Sequence, residues 1–242
     1  MQIKQKNIGF VLPVYNEYKN IFKLLNQINL FFKKKLIVII DDSEDNRIQN
    51  KLIKKNNLIY IKRNCKLGRG TAVIKGLKIL LKKKIDIFIE MDTDLSSHPK
   101  ELPKNINYFL KQKLDLLIMS RYLPKSHINN WPIRRRVFSF ITNKLTRFLL
   151  RVPVSDYTMG FRIYSKAAAK HISTNCGKIG SGFIILSEIL LELYNNKYKI
   201  GETSTTFNNR IEGKSSVNFK LLLESLCVLI KLFFNKKKIN DN

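Results

Sequence analysis

IDIFIEMDTDLSSHP, residues 85–99, joins a short apolar run to two aspartates and a serine. Its β-branched and aromatic residues, Ile85, Ile87, Phe88 and Ile89, predict a buried strand that ends near Glu90. Asp92 and Asp94, two positions apart, point the same way from an extended chain. With the Ser96 hydroxyl two residues further on, they form an all-oxygen set suited to a hard cation such as Mg²⁺ or Mn²⁺. Imidazole suits such an ion less well, so His98 is not expected among the ligands. The same residues also admit a plainer reading, with Asp92 forming a turn and Asp94 capping a helix before Pro99.

Outward from this stretch, short apolar runs alternate with segments of helical period. GFVLPV, LIVII, LIYIK, IDIFIEM and LDLLIMS read as strands, and EYKNIFKLLNQINLFF, TAVIKGLKILL and PKELPKNINYFL read as helices between them. This rhythm predicts an α/β fold with a mostly parallel central sheet and helices on both faces. In such sheets ligands bind beyond the carboxyl ends of the strands. The residues there are Tyr15 and Glu17, Asp41 and Asp42, Arg63 to Gly70, Asp92 and Asp94, and Arg121. Asp41 and Asp42 can accept hydrogen bonds from a base or from ribose hydroxyls. Gly68, Gly70 and Gly76 miss the G-x-G-x-x-G spacing, which leaves RNCKLGRGTAVIKG as a tight basic turn near phosphate.

The 242 residues carry a formal net charge of +27, which attracts anionic partners such as phosphates or an acidic membrane surface. A composition rich in Lys, Asn and Ile contributes to that charge as well. The basic runs at 33–35, 82–84, 134–136 and 236–238 are scattered and match no nucleic-acid motif, so no nucleic-acid partner is expected. Cys65, Cys176 and Cys227 are widely spaced, which fits neither a zinc site nor a disulfide framework and suits a reducing cytoplasm. No signal peptide is expected at the N-terminus, and Glu224 and Lys231 interrupt the most apolar segment before it reaches the ~20 residues of a membrane span. After Trp131-Pro132, Arg136, Asn143 and Arg147 share one face of an amphipathic helix. Lys220, Glu224, Lys231 and Asn235 make a narrow polar stripe on a second. Such helices either pack on the core or lie in a membrane interface.

Nine stretches in order, VLPVYNE, IDDSEDN, KLGRGTAVIKGL, MDTDLSSHP, SRY, NNWPIRRRVFS, SDYTMGFRIYSK, GFIILSEILLEL and RIEGKSS, resemble glycosyltransferase family 2, of the dolichyl-phosphate mannose synthase type. The resemblance covers roughly residues 7–220. It implies a GT-A fold in a single catalytic domain over 1–234, followed by a charged tail at 235–242. The nucleotide-sugar half would span about 1–122 and the acceptor half, with its C-terminal amphipathic helices, about 123–234. Carried over by position, Pro13, Tyr15, Glu17 and Asp42 would cradle the nucleoside of the donor, with Asp41 and Gly70 beside them. Asp92 and Asp94, with Ser96, would hold Mg²⁺ or Mn²⁺ on its diphosphate. Arg121, Arg135 and Arg210 would bind phosphate groups, and Asp156 would line the acceptor side. Where the pattern RxxGxSK expects a lysine after the serine, this chain has Ser216, and Lys214 would supply the charge instead.

The implied reaction moves a hexose, mannose first, from a nucleoside diphosphate sugar to a polyprenyl phosphate at the inner membrane face. GDP-mannose ranks ahead of UDP-glucose as donor. Attachment would be peripheral, through the amphipathic helices or a membrane-anchoring partner. An acceptor phosphate, with a second pKa of about 6, needs little general base. A hydroxyl of a glycan is the alternative acceptor, and for it Glu188 is the candidate base.

Overall fold

A computed structural model of the protein describes residues 6–52, 56–177, 182 and 184–210. Lys214, the 217–234 helix and the 235–242 tail lie outside the described residues. The expected alternation is present. In chain order the elements are β1 (Ile8–Val14), α1 (Tyr18–Phe31), β2 (Lys35–Asp41), α2 (Arg47–Lys51), β3 (Leu58–Lys62), α3 (Arg69–Leu81) and β4 (Ile87–Glu90). A 3₁₀ turn at Pro99–Glu101 leads into α4 (Leu102–Lys111), β5 (Leu116–Ser120), β6 (His127–Asn129) and α5 (Ile133–Leu150). Next come β7 (Arg162–Ser165), α6 (Lys166–Asn175), α7 (Ile185–Asn195), β8 (Ile200–Ser204) and β9 (Thr206–Asn208).

Seven strands form the main sheet in the order β3-β2-β1-β4-β7-β5-β8, and β6 pairs with β9 in a small parallel ribbon. Every pairing in the main sheet is parallel except those of β7, which runs antiparallel to both β4 and β5. The chain leaves β1 toward β2 and β3, then returns to β4 on the other side of β1. The order therefore reverses between β1 and β4, where the carboxyl ends of the strands open a crevice. β1 and β4 are central strands with both faces covered, which explains why IGFVLPV and IFIE are nearly continuously apolar. Phe10, Leu12, Phe88 and Ile89 are wholly buried. Helix α3 lies so close to the sheet that a Cβ at Gly76 would stand 2.4 Å from Val11 Cγ1.

Helix α5 packs in an unusual sense. Its polar residues face inward: Asn143 and Thr146 are buried, the Tyr122 hydroxyl donates to Ser139 Oγ at 2.6 Å, and Asn143 Oδ1 accepts the Tyr157 N–H at 2.7 Å. Most of its apolar residues face outward, with Ile133 at 79% and Phe148 at 74% exposure and Val137, Phe138, Ile141 and Leu145 between them, while Leu150 is wholly buried and Leu149 packs on the core. Arg136 and Arg147 reach solvent on its flanks. Of the two alternatives left open for this helix, core packing uses the polar face and leaves the apolar one uncovered.

Candidate active site

The β1–α1 and β2–α2 turns are stapled together at the carboxyl rim. Asn16 adopts φ 58°, its N–H donates to Ser43 Oγ at 2.8 Å, and its Oδ1 accepts the Glu44 N–H at 3.3 Å. Tyr15 donates its hydroxyl to Glu44 Oε1 at 2.8 Å, and that bond, followed by burial, raises its pKa. The Lys66 ammonium stands 3.9 Å from the centre of the Tyr15 ring. Beside them a cavity of about 290 Å³ is lined by Asp42, Ser43, Glu44, Asn46 and residues 62–66. Its size and position suit a nucleobase. Pro13 ends its neighbourhood in β1, and its carbonyl accepts the Thr93 hydroxyl at 3.2 Å, tying the strand to the acidic loop.

Two aspartates expected to read the nucleoside are committed elsewhere. Asp41 is wholly buried and accepts the Ser43 N–H at 2.8 Å and the Tyr60 hydroxyl at 2.7 Å. Asp42 meets Arg63 through both carboxylate oxygens and also accepts the Leu67 and Gly68 N–H groups at 3.1 Å. A carboxylate this buried needs a full set of donors, and here the 63–68 turn supplies them. Asp42 therefore shapes the turn while also lining the cavity. Gly70 is buried in the first turn of α3.

Past β4 the chain turns sharply. Leu95 is left-handed at φ 62°, a strained value for a leucine, and the Ser96 N–H donates to Asp94 Oδ1 at 3.1 Å. Ser96 is 1% exposed and its hydroxyl has no hydrogen-bond partner among the described residues, although buried hydroxyls are ordinarily satisfied. Asp94 Oδ2 faces Arg210 at 3.3 Å, and Glu17 lies 4.0 Å from the same guanidinium. Burial raises the pKa of Glu17, and the negative charges of Asp94 and Asp92 add to that rise. Three carboxylates therefore share one field, beside an unsatisfied hydroxyl. The side chains of Asp92, Asp94 and Ser96 are of the type that suits a divalent cation, while no group of three His, Cys, Asp or Glu side chains among the described residues is placed to hold one. His98 stays apart from it, its Nδ1 accepting the Lys100 N–H at 3.0 Å.

The acceptor side differs from expectation in two residues. Arg121 and Asp156 form a buried bidentate pair, with Arg121 Nε and Nη2 each 2.7 Å from the carboxylate and the Arg121 N–H at 3.0 Å. Burial alone would raise the Asp156 pKa, but the charge and hydrogen bonds of Arg121 outweigh it and hold the carboxyl below the usual range. Asp156 thus lies in the interior, and Arg121 is buried with it, its guanidinium 5.4 Å from the Trp131 ring centre. Arg135 lies in the first turn of α5. It stacks 4.2 Å from the Trp131 ring, donates to Asn209 Oδ1 at 3.2 Å, and has its pKa lowered by burial and then by the charge of Arg210. Glu188 is buried on α7 and accepts the Gly177 N–H at 3.1 Å.

Sequence reasoning places Arg69 within the basic 63–70 turn near phosphate but gives it no role of its own. Its side chain bridges Glu90 at 2.5 Å and Asp92 at 2.9 Å. The available signal was an arginine between two glycines at the opening of a helix that faces the acidic strand end.

The family description "Glycosyl transferase family 2" matches residues 10–173. Over 221 residues the chain is 27% identical to polyprenol monophosphomannose synthase of Mycolicibacterium smegmatis, covering 89% of this chain and 83% of that one. It is 30% identical over 233 residues to dolichol-phosphate mannosyltransferase of Pyrococcus furiosus, covering 93% of this chain and 63% of the other. Among solved structures, glucosyl-3-phosphoglycerate synthase of Mycobacterium tuberculosis with phosphoglyceric acid superposes with a TM-score of 0.66 at 18% identity, covering 94% of this chain and 80% of that one. The same enzyme with Mn²⁺, UDP and phosphoglyceric acid gives 0.66 at 18% identity, covering 95% and 78%. The sheet order, the acidic strand end at the switch point and these likenesses agree on a GT-A fold, and the chain belongs to glycosyl transferase family 2 as a glycosyltransferase.

Proposed function

We propose that the chain transfers a hexose, mannose first, from a nucleoside diphosphate sugar to a polyprenyl phosphate at the inner face of a membrane. The observation that carries this reading is the two-sidedness of α5. Near its start Arg135 stacks on Trp131 and bonds Asn209, the residue before Arg210, while its outer side is apolar with basic flanks. A lipid phosphate needs both surfaces, one for its charge and one near its tail. The relatives named for polyprenol and dolichol phosphates support the same acceptor class.

The roles follow from the chemistry of the side chains. The nucleobase enters the cavity beside Tyr15 and Glu44, and the diphosphate crosses the rim toward Glu17, Asp92 and Asp94. A divalent cation on Asp92, Asp94 and Ser96 would neutralise the diphosphate and stabilise the departing nucleoside diphosphate. Arg135 and Arg210 grip the acceptor phosphate, since guanidinium forks match phosphate oxygens. That phosphate is ionised near neutral pH, so its oxygen attacks the anomeric carbon without a general base. A single in-line displacement inverts the configuration, and the protein contributes positioning and charge neutralisation.

Purified protein incubated with GDP-[¹⁴C]mannose, Mn²⁺ and polyprenyl phosphate in detergent tests the reading. Label is expected in the lipid phase and is expected to fall steeply in Arg135→Lys. UDP-[¹⁴C]glucose in place of GDP-mannose ranks the second donor. Absence of lipid-phase label from either donor, with transfer to a water-soluble glycan, would establish a hydroxyl acceptor instead.

A further inference from the structure

Arg69 is buried where three segments meet. Its Nη1 contacts Glu90 Oε1 at 2.5 Å, its Nε contacts Asp92 Oδ1 at 2.9 Å, and its Nη2 points to the Gly160 carbonyl at 3.5 Å. Glu90 is wholly buried at the end of β4 and also accepts the Tyr164 hydroxyl at 2.5 Å. Gly160, in the turn before β7, leaves the space the guanidinium fills. A Cβ at Gly160 would stand 2.0 Å from Arg69 Nη2 and 2.8 Å from Asp92 Oδ2. The start of α3, the end of β4 and this turn are therefore shaped around one cation.

The consequence falls on Asp92. A planar fork between two carboxylates holds both in fixed orientation. It engages Oδ1 of Asp92, whose Oδ2 lies beside Gly160. It also places a permanent positive charge within a few ångströms of any ion bound there, and in a poorly hydrated site that repulsion is strong. Arg210, 3.3 Å from Asp94, adds a second positive charge.

Building on the cation site of the proposed function, we propose that Arg69 is a positioning residue and resident counter-cation of that site. It aims Asp92 and weakens the hold on a free divalent ion, so that the ion binds tightly only in company with a nucleoside diphosphate. The diphosphate supplies the negative charge that Arg69 has cancelled. Metal and nucleotide consequently favour one another's binding by the same factor.

Mn²⁺ binding, followed by loss of the free-ion EPR signal, tests this with and without GDP or UDP. Arg69→Gln removes the positive charge and leaves the carboxylates of Glu90 and Asp92 in place. That variant is expected to bind Mn²⁺ alone roughly tenfold more tightly than the wild type, and the enhancement by nucleotide is expected to shrink by a similar factor. Arg69→Lys, which keeps the charge, is expected to retain the wild-type affinity for Mn²⁺ alone. A purely structural arginine would leave a folded Arg69→Gln variant with unchanged or weaker Mn²⁺ binding, and that result overturns the proposal. If Arg69→Gln does not fold by circular dichroism, Arg69→Met is titrated instead, with the same outcomes. Wild-type protein that takes up no Mn²⁺ with either nucleotide would refute the cation site itself. Wild-type uptake with no change in the neutral variants would refute only the role of Arg69.

Discussion

At the scale of single residues, the acidic centre separates groups that meet ligand from groups that hold the frame. Asp94 belongs to the first kind. Asp94→Asn is expected to reduce transfer by about 10²-fold or more while leaving the fold intact, as loss of one electrostatic contact to developing charge does elsewhere. Full activity in that variant, or in excess EDTA, would contradict the cation site. Asp156 belongs to the second kind. Its folded pKa lies below the unfolded value, so the stability it contributes is complete above the ordinary carboxylate range and is lost as pH falls through the lower folded value. Arg121→Met removes the partner of a buried carboxylate and is expected to cost about 3–5 kcal/mol in urea unfolding near neutral pH. The double variant Arg121→Met/Asp156→Asn is expected to recover much of that loss and to show a shallower acid limb than the wild type. A single variant as stable as the wild type would mean that the pair is not buried as described.

At the scale of elements, α5 carries the most unusual chemistry. Its outward apolar side chains are costly to leave in water, each about 1.5–3 kcal/mol short of full burial. Arg136 and Arg147 on its flanks match the charge of an acidic bilayer, and the tryptophan before it packs inward against Phe207 at 5.3 Å. Flotation with liposomes containing anionic lipid is expected to carry the protein at low ionic strength, with the electrostatic share weakening as salt shortens the Debye length. Ile141→Ser/Phe148→Ser is expected to reduce flotation while changing thermal stability little, because both side chains are already exposed. Unchanged flotation in that variant would show that α5 is not the contact. No helix among the described residues is long and apolar enough to cross a membrane.

At the scale of the whole molecule, a net charge of +27 and a cleft holding several arginines make the protein an anion receiver. The acidic centre is the exception within that field, and a cation there would let a sugar diphosphate be held and then released. A thermal-shift panel with Mn²⁺ is expected to give its largest stabilisation with GDP-mannose and a smaller one with UDP-glucose. Ligand at about 100 times its Kd contributes about 2.7 kcal/mol. A larger shift with UDP-glucose would reverse the order of donors.

Strand and helix periods, apolar runs and the polar residues at their ends were legible from local pattern alone. That pattern carried the α/β architecture, the acidic strand end at Asp92 and Asp94, and the rim residues Tyr15 and Glu17, because side-chain direction in a strand and burial in a parallel sheet are written into consecutive residues. The antiparallel β7, inserted between β4 and β5, was not legible, since strand order depends on contacts between distant segments. Nor was the division of labour among charges. Asp41, Asp42 and Asp156 look like ligand-binding carboxylates in sequence, yet folding brings Tyr60, Arg63 and Arg121 against them and spends their lone pairs inside the protein. Arg69 looks like one more basic residue until Glu90, Asp92 and Gly160 close around it. Which charges stay available to a ligand is a property of three-dimensional pairing, because a buried ion must find its partner wherever the tertiary fold places one.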